Sequence, residues 1–164
     1  MKITFIEPKA PGWHIYHKFK LPRLGLPLLG ALLERELGIR SMIYFQELGN
    51  LDWDDICGSD LVGISTITNT APEAYAIAEK IKQRADIPVV MGGPHVTFLP
   101  EEALENGADF VVRGEGEHSF LELVRVLRDG GNGFDSIPGL SYREDGGFIH
   151  NPALPQIKKL DDLP

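Results

Sequence analysis

A chain of 164 residues can bury one sizeable core, and its 43% apolar and 24% charged residues are those of a folding chain and exclude a disordered one, so one domain with a tail is expected. The net charge of −8 argues against a nucleic-acid partner, which would need Lys and Arg clustered into a basic patch. The sole cysteine, Cys57, excludes an internal disulfide and any zinc or iron–sulfur site built from several thiolates of this chain. No apolar run approaches the roughly 20 residues of a membrane-spanning helix, and Met1-Lys2-Ile3 leads straight into a strand with no signal-peptide pattern, so a cytoplasmic location is expected.

Short apolar runs then alternate five times with segments of helical period, the sequence form of repeated β-α units. Strands are predicted at Ile3 to Ile6, Ser41 to Phe45, Leu61 to Ser65, Pro88 to Met91 and Phe110 to Val112. Several are nearly continuous in Val, Ile and Leu, as strands covered on both faces should be. The expected fold class is α/β, a doubly wound, flavodoxin/Rossmann-like five-stranded parallel sheet.

Between the strands, Leu24 to Leu37 has helical spacing and stops at Gly38, which accepts a left-handed C-terminal conformation. Thr70 to Arg84 reads as a helix with Thr70 as N-cap, Pro72 in the first turn and Glu73 as the acidic partner of a capping box. Its buried stripe is Ala74, Ile77, Ala78 and Ile81. A last helix from Glu117 to Arg128 buries Phe120, Leu121, Val124 and Leu127 and ends at Asp129-Gly130-Gly131.

Beyond it the character changes. Gly139 to Arg143 and Phe148 to His150 flank Glu144-Asp145-Gly146-Gly147 and predict a small β-hairpin. Three prolines and the Lys158-Lys159/Asp161-Asp162 pattern make the rest a linker. The expected organisation is an α/β body over 1–135, a hairpin extension over 136–150 and a linker over 151–164.

Doubly wound sheets bind ligands outside the carboxyl ends of their strands. The first such loop, Glu7 to Gly25, is long and carries Trp13, Tyr16, Phe19 and Leu21, which need a covering surface or a large flat ligand; a plain surface loop is the competing explanation. The third, Ser65-Thr66-Ile67-Thr68-Asn69-Thr70, concentrates hydroxyl and amide groups where a cap needs only one. The fourth, Gly92-Gly93-Pro94-His95, lets backbone approach a ligand, or is an ordinary glycine turn; His95 stands without a second metal ligand at metal spacing, a ligand or a solvated loop residue. The fifth, Arg113-Gly114-Glu115-Gly116-Glu117, carries its own carboxylates and follows the wrong strand for a dinucleotide fingerprint, and Glu115 and Glu117 also suit the positive end of the last helix.

Two stretches, Gly92-Gly93-Pro94-His95-Val96-Thr97-Phe98-Leu99-Pro100-Glu101-Glu102 and Asp109-Phe110-Val111-Val112-Arg113-Gly114-Glu115-Gly116-Glu117, resemble the N-terminal domains of cobalamin-dependent radical SAM enzymes. The resemblance extends over essentially the whole chain and is strongest to the group containing anaerobic magnesium-protoporphyrin monomethyl ester cyclase. It implies cobalamin with its nucleotide tail against the sheet, contacted by Ser65, Thr66, Thr68 and Asn69, by Gly92, Gly93, Pro94 and His95, and by Gly114, Glu115 and Gly116 along the same edge. No Asp-x-His-x-x-Gly occurs, and His14 and His17 do not restore it, so no metal ligand is assigned.

With one cysteine the chain also lacks the family's Cys-x-x-x-Cys-x-x-Cys motif. S-adenosylmethionine and a 4Fe-4S cluster are therefore implied only for a barrel elsewhere in the full-length chain, the partner toward which the linker would lead. No catalytic residue is assigned here. The full enzyme's chemistry is then methyl transfer or tetrapyrrole oxidative cyclisation. Rival expectations are a flavodoxin-like flavin module, a phosphoacceptor receiver, disfavoured because only Glu7 is acidic near strand one, and a degenerate domain that only docks the barrel. Replacing Gly93 with Val is expected to obstruct the cofactor and leave the fold largely intact, and Cys57 to act as a small buried hydrophobe.

Overall fold

The computed structural model describes residues 1–12, 22–130 and 133–153. The apolar side chains of the first loop (Trp13, Tyr16, Phe19, Leu21), His14, His17 and most of the expected linker (154–164) lie outside the described residues.

Five parallel strands form as the apolar runs predict: β1 (Ile3–Glu7), β2 (Ser41–Phe45), β3 (Leu61–Ser65), β4 (Val89–Gly92) and β5 (Phe110–Val112). Their order is β2-β1-β3-β4-β5, so the chain reverses its direction of travel between β1 and β3, which is where such sheets form a crevice. The hairpin does not stand apart from this sheet. Its strands β6 (Leu140–Glu144) and β7 (Gly147–His150) continue it antiparallel from β5, giving seven strands where five were expected. The hairpin turn is also shorter than its glycine-rich sequence implied, because Asp145 (φ 50°) and Gly146 (φ 81°) alone make the left-handed pair of a two-residue turn.

Strand residues alternate between two cores. Ile3, Phe5, Leu61, Val90, Phe110 and Val112 pack under α1 (Gly25–Leu37) and α6 (Glu117–Arg128). Ile6, Val62, Ile64, Val89, Met91 and Val111 pack on the opposite face, with α3 (Ala71–Arg84) supplying the predicted stripe of Ala74, Ile77, Ala78 and Ile81. Cys57 is partly buried against that second core. Gly38 takes the expected left-handed C-cap of α1 at φ 66°.

The capping box expected at α3 does not form. Thr70 is helical, and its hydroxyl instead closes a 3-10 turn over Thr68–Thr70, donating to the Ile67 carbonyl and accepting from the Ile67 N–H, both at 3.2 Å. Glu73 accepts from the Gln46 amide at 2.5 Å. Three short helices escaped the sequence reading: α2 (Trp53–Cys57), α4 (Pro94–Phe98) and α5 (Pro100–Glu105). Each is shorter than the window in which helical periodicity shows. Asp52 caps α2 by accepting from the Asp54 and Asp55 N–H groups at 3.1 and 3.0 Å, while Pro94 and Pro100 open α4 and α5.

Asn151, the first residue of the expected linker, is buried. Its side-chain amide donates to the Phe134 and Ile137 carbonyls at 2.6 and 2.7 Å, and its own carbonyl accepts from the Arg113 guanidinium.

Candidate functional site

Side chains at alternate positions of the central strands face α1 and α6, and two of those positions are glycine. Gly63 in β3 lets the Phe5 ring lie over it, Gly92 at the end of β4 leaves open space, and a cavity of about 300 Å³ bordered by Phe5, Val90 and Val112 results. Leu26 and Leu29 of α1 wall it on one side, and Gly116, the N-cap of α6, with Glu117 and Phe120 of α6 on the other. The cavity lies at the carboxyl ends of the strands, where Ser65, Gly93, Gly114 and Glu115 complete its lining.

The structure therefore brings together Ser65, Gly92, Gly93, Gly114, Glu115 and Gly116 from the predicted set and leaves Thr66, Thr68, Asn69, Pro94 and His95 outside the cavity lining. Thr66 is buried beneath the rim. Its N–H and hydroxyl both donate to the Gly92 carbonyl, at 2.7 and 2.8 Å, and lock the end of β3 to the end of β4. Thr68 and Asn69 are exposed on the 3-10 turn that follows, and Pro94 is exposed at the start of α4. His95 is not a solvated loop residue: it is buried in α4, with Nδ1 3.4 Å from the Thr68 hydroxyl and Nε2 3.2 Å from the Tyr75 hydroxyl.

Gly93 corrects an expectation. Its φ of 110° suits glycine, and a Cβ there would overlap the Thr66 carbonyl oxygen and stand 3.1 Å from the Thr66 nitrogen. The fold itself requires this glycine, so valine there would break the local backbone whether or not a ligand binds.

Sequence reasoning passed over the apolar lining and one organising hydroxyl. Thr97 Oγ1 accepts from the Gly114 N–H at 3.0 Å and donates to the Gly93 carbonyl at 2.9 Å, tying together the two glycine loops that flank the mouth. Gly63 did carry a signal, because an isolated glycine inside an apolar strand marks close approach by a ligand or another chain segment. Among the charged groups, burial pulls the Arg113 guanidinium below its usual range at the foot of the Gly114 loop.

This lining suits a flat, largely apolar group inserted edge-on against the sheet. Phe5, Val90, Val112 and glycines make most of it, one hydroxyl stands at Ser65, and Glu115 and Glu117 add two carboxylate side chains. A doubly wound sheet with such a crevice on the carboxyl side defines the class of α/β ligand-binding modules.

Within that class, the profile described as the B12 binding domain matches residues 17–124, and the chain belongs to that family. An uncharacterized methyltransferase of Pyrococcus horikoshii is 38% identical over 152 residues, covering 87% of this chain and 32% of the relative. The anaerobic magnesium-protoporphyrin IX monomethyl ester cyclase of Synechocystis is 29% identical over 174 residues, covering 98% of this chain and 34% of the relative. The chain thus spans about a third of the length of these relatives.

Among solved structures, the cobalamin-dependent S-adenosylmethionine radical enzyme OxsB with aqua-cobalamin bound superposes with a TM-score of 0.75 at 20% identity, over 94% of this chain and 22% of that one. The radical S-adenosylmethionine methyltransferase TsrM of Kitasatospora setae, with cobalamin and a 4Fe-4S cluster bound, gives 0.73 at 21% identity, over 99% and 30%. At these identities the likeness is one of fold. Among the described residues, no helix is long and apolar enough to cross a membrane.

Proposed function

We propose that this chain is a cobalamin carrier that presents the cofactor to a radical SAM barrel in a longer protein, which performs methyl transfer or oxidative cyclisation. The observation that carries the reading is the glycine-lined apolar cavity between the sheet, α1 and α6, found in a member of the B12-binding family. The cavity would take the apolar end of the nucleotide tail. Ser65, Gly92, Gly93, Gly114, Glu115 and Gly116 would hold the part of the cofactor nearest its mouth, with Thr68 and Asn69 on the rim and Thr66, Pro94 and His95 supporting the loops.

Cobalamin, when bound, supplies the organometallic chemistry; the protein contributes orientation and exclusion of water. S-adenosylmethionine and the 4Fe-4S cluster belong, in this reading, to the barrel. Support comes from relatives named as cyclase or methyltransferase, of which this chain covers only a fraction.

Titration with hydroxocobalamin and with methylcobalamin, followed by visible spectrum and by co-elution on gel filtration, tests the carrier role. Saturable co-elution with a spectrum lacking a histidine-ligated cobalt supports it. A folded chain that binds neither cobalamin, or that binds flavin mononucleotide in their place, overturns it.

A further inference from the structure

His95 of α4 is a buried histidine surrounded by polar side chains. Its side chain is 8% exposed and faces polar groups on three neighbouring elements. Nε2 faces the Tyr75 hydroxyl of α3 at 3.2 Å and Glu102 Oε1 of α5 at 3.5 Å, while Nδ1 faces the Thr68 hydroxyl of the 3-10 turn at 3.4 Å.

Hydrogen-bond chemistry orders this cluster in one direction. Glu102 Oε1, 3.5 Å from Nε2, belongs to a carboxylate and can only accept, while burial, then the charge of Glu102, pushes the Tyr75 phenol far above its usual range, so Tyr75 keeps its proton. A bare Nε2 would set its lone pair against that carboxylate oxygen, whereas a protonated Nε2 finds acceptors in it and in the Tyr75 oxygen. The proton of a neutral His95 therefore sits on Nε2, and Nδ1 carries the lone pair. The one hydroxyl proton of Thr68 points at Nδ1. Its two remaining lone pairs are left to accept, at an exposed position on the turn that follows Ser65.

We infer that His95 is a positioning residue that fixes Thr68 Oγ1 as a hydrogen-bond acceptor on the rim of the site, matched to an N–H donor of the ligand such as a carboxamide on the corrin periphery. The inference rests on the cobalamin reading above and adds to it a chemical preference at one point of the rim. Without the histidine, the Thr68 hydroxyl rotates and spends its proton in any direction. With it, a carboxamide N–H meets a lone pair, while a ligand carbonyl or carboxylate at the same spot meets no proton.

Two measurements test it. In the unliganded chain, nitrogen-15 shifts of the neutral His95 ring should show Nε2 protonated and Nδ1 bare; the opposite tautomer overturns the inference without any ligand. The second is a set of variants compared for hydroxocobalamin affinity, each with its unfolding midpoint. His95→Asn keeps an acceptor near the Nδ1 position, whereas His95→Gln keeps the link toward Tyr75 and loses the one to Thr68.

His95→Gln should weaken binding about two- to tenfold, the worth of one neutral hydrogen bond, and His95→Asn should weaken it less. In a Thr68→Val background, His95→Gln should add no further loss. A histidine that merely fills space gives the reverse order, since glutamine is the larger replacement, and an equal loss with and without the Thr68 hydroxyl; either result overturns the inference. Failure of the unchanged chain to bind hydroxocobalamin overturns the carrier function itself, and is read before any variant is made.

Discussion

Phe5 and Gly63 are paired across β1 and β3, and the phenyl ring lies over the glycine: a Cβ at position 63 would stand 2.6 Å from Phe5 Cδ1 and 2.8 Å from Cε1. Phe5 is buried and its ring is tilted against Phe120 of α6, with centroids 5.4 Å apart. The ring cannot retreat toward α6 without disturbing that pair, so an added methyl group pushes it into the cavity. Gly63→Ala should cost about 1–3 kcal/mol, as overpacked cores do. It should also weaken cobalamin binding by narrowing the cavity. Urea unfolding and a cobalamin titration on the same variant check both. An unchanged midpoint with unchanged affinity would show that the floor is looser than this packing implies.

Thr97 tests whether the two glycine loops act as one rim. Valine keeps its shape and removes both the acceptor for the Gly114 N–H and the donor to the Gly93 carbonyl. Thr97→Val should destabilise the chain by about 1–2 kcal/mol, the net worth of two neutral hydrogen bonds. Amide exchange at Gly114 should accelerate more than exchange in the β1 strand. Uniform acceleration at every site would assign the effect to global stability.

The parallel sheet, α1, α3 and α6 were legible because each rests on a pattern longer than a turn: runs of Val, Ile and Leu, or a stripe such as Ala74, Ile77, Ala78 and Ile81. The short helices α2, α4 and α5 were not, since five or six residues hold barely more than one period. Membership of the sheet by β6 and β7 depends on pairing of Phe110 with Tyr142 across more than thirty positions, which no local pattern encodes. At the site, the glycine loops were visible as motifs. Their apolar floor was not, because Phe5, Val90 and Val112 look like ordinary core in sequence and become lining only beside the open space at Gly92.

Ser65 and Gly93 both line the mouth, but only one of them probes the ligand cleanly. Among the described residues, no hydrogen bond engages the Ser65 hydroxyl, so Ser65→Ala should leave stability within about 0.5 kcal/mol. Cobalamin affinity should fall about two- to tenfold if the ligand uses that hydroxyl. Gly93→Ala, by contrast, should cost about 1–3 kcal/mol in backbone strain, before its overlap with the Thr66 carbonyl is counted. Chemical denaturation separates the two variants. A stable Gly93→Ala protein would contradict the left-handed geometry at that position.

Far from the mouth, Asp55 links the start of β1 to β2 and α2. Its carboxylate accepts from Lys2 Nζ at 2.8 Å and from the Tyr44 hydroxyl at 2.9 Å. The hydrogen bond from Lys2, then that from Tyr44, hold the Asp55 pKa below its usual value. The folded chain thus takes up this proton less readily than the unfolded chain. The resulting stabilisation is fully present above the unfolded value of about 3.9 and is lost as pH falls through the folded one. Tyr44 behaves in the opposite sense: burial, then the hydrogen bond to Asp55, raises it from 10.0 to about 12. Its contribution is fully present below pH 10.0 and is lost as pH rises through about 12. Thermal unfolding across both windows should therefore show an acid slope that becomes shallower in Asp55→Asn and an alkaline slope that becomes shallower in Tyr44→Phe. An acid slope left unchanged by Asp55→Asn would place the proton-linked loss on other carboxylates. The Lys2–Asp55–Tyr44 contact would then be a geometric feature with no share in the pH dependence of folding.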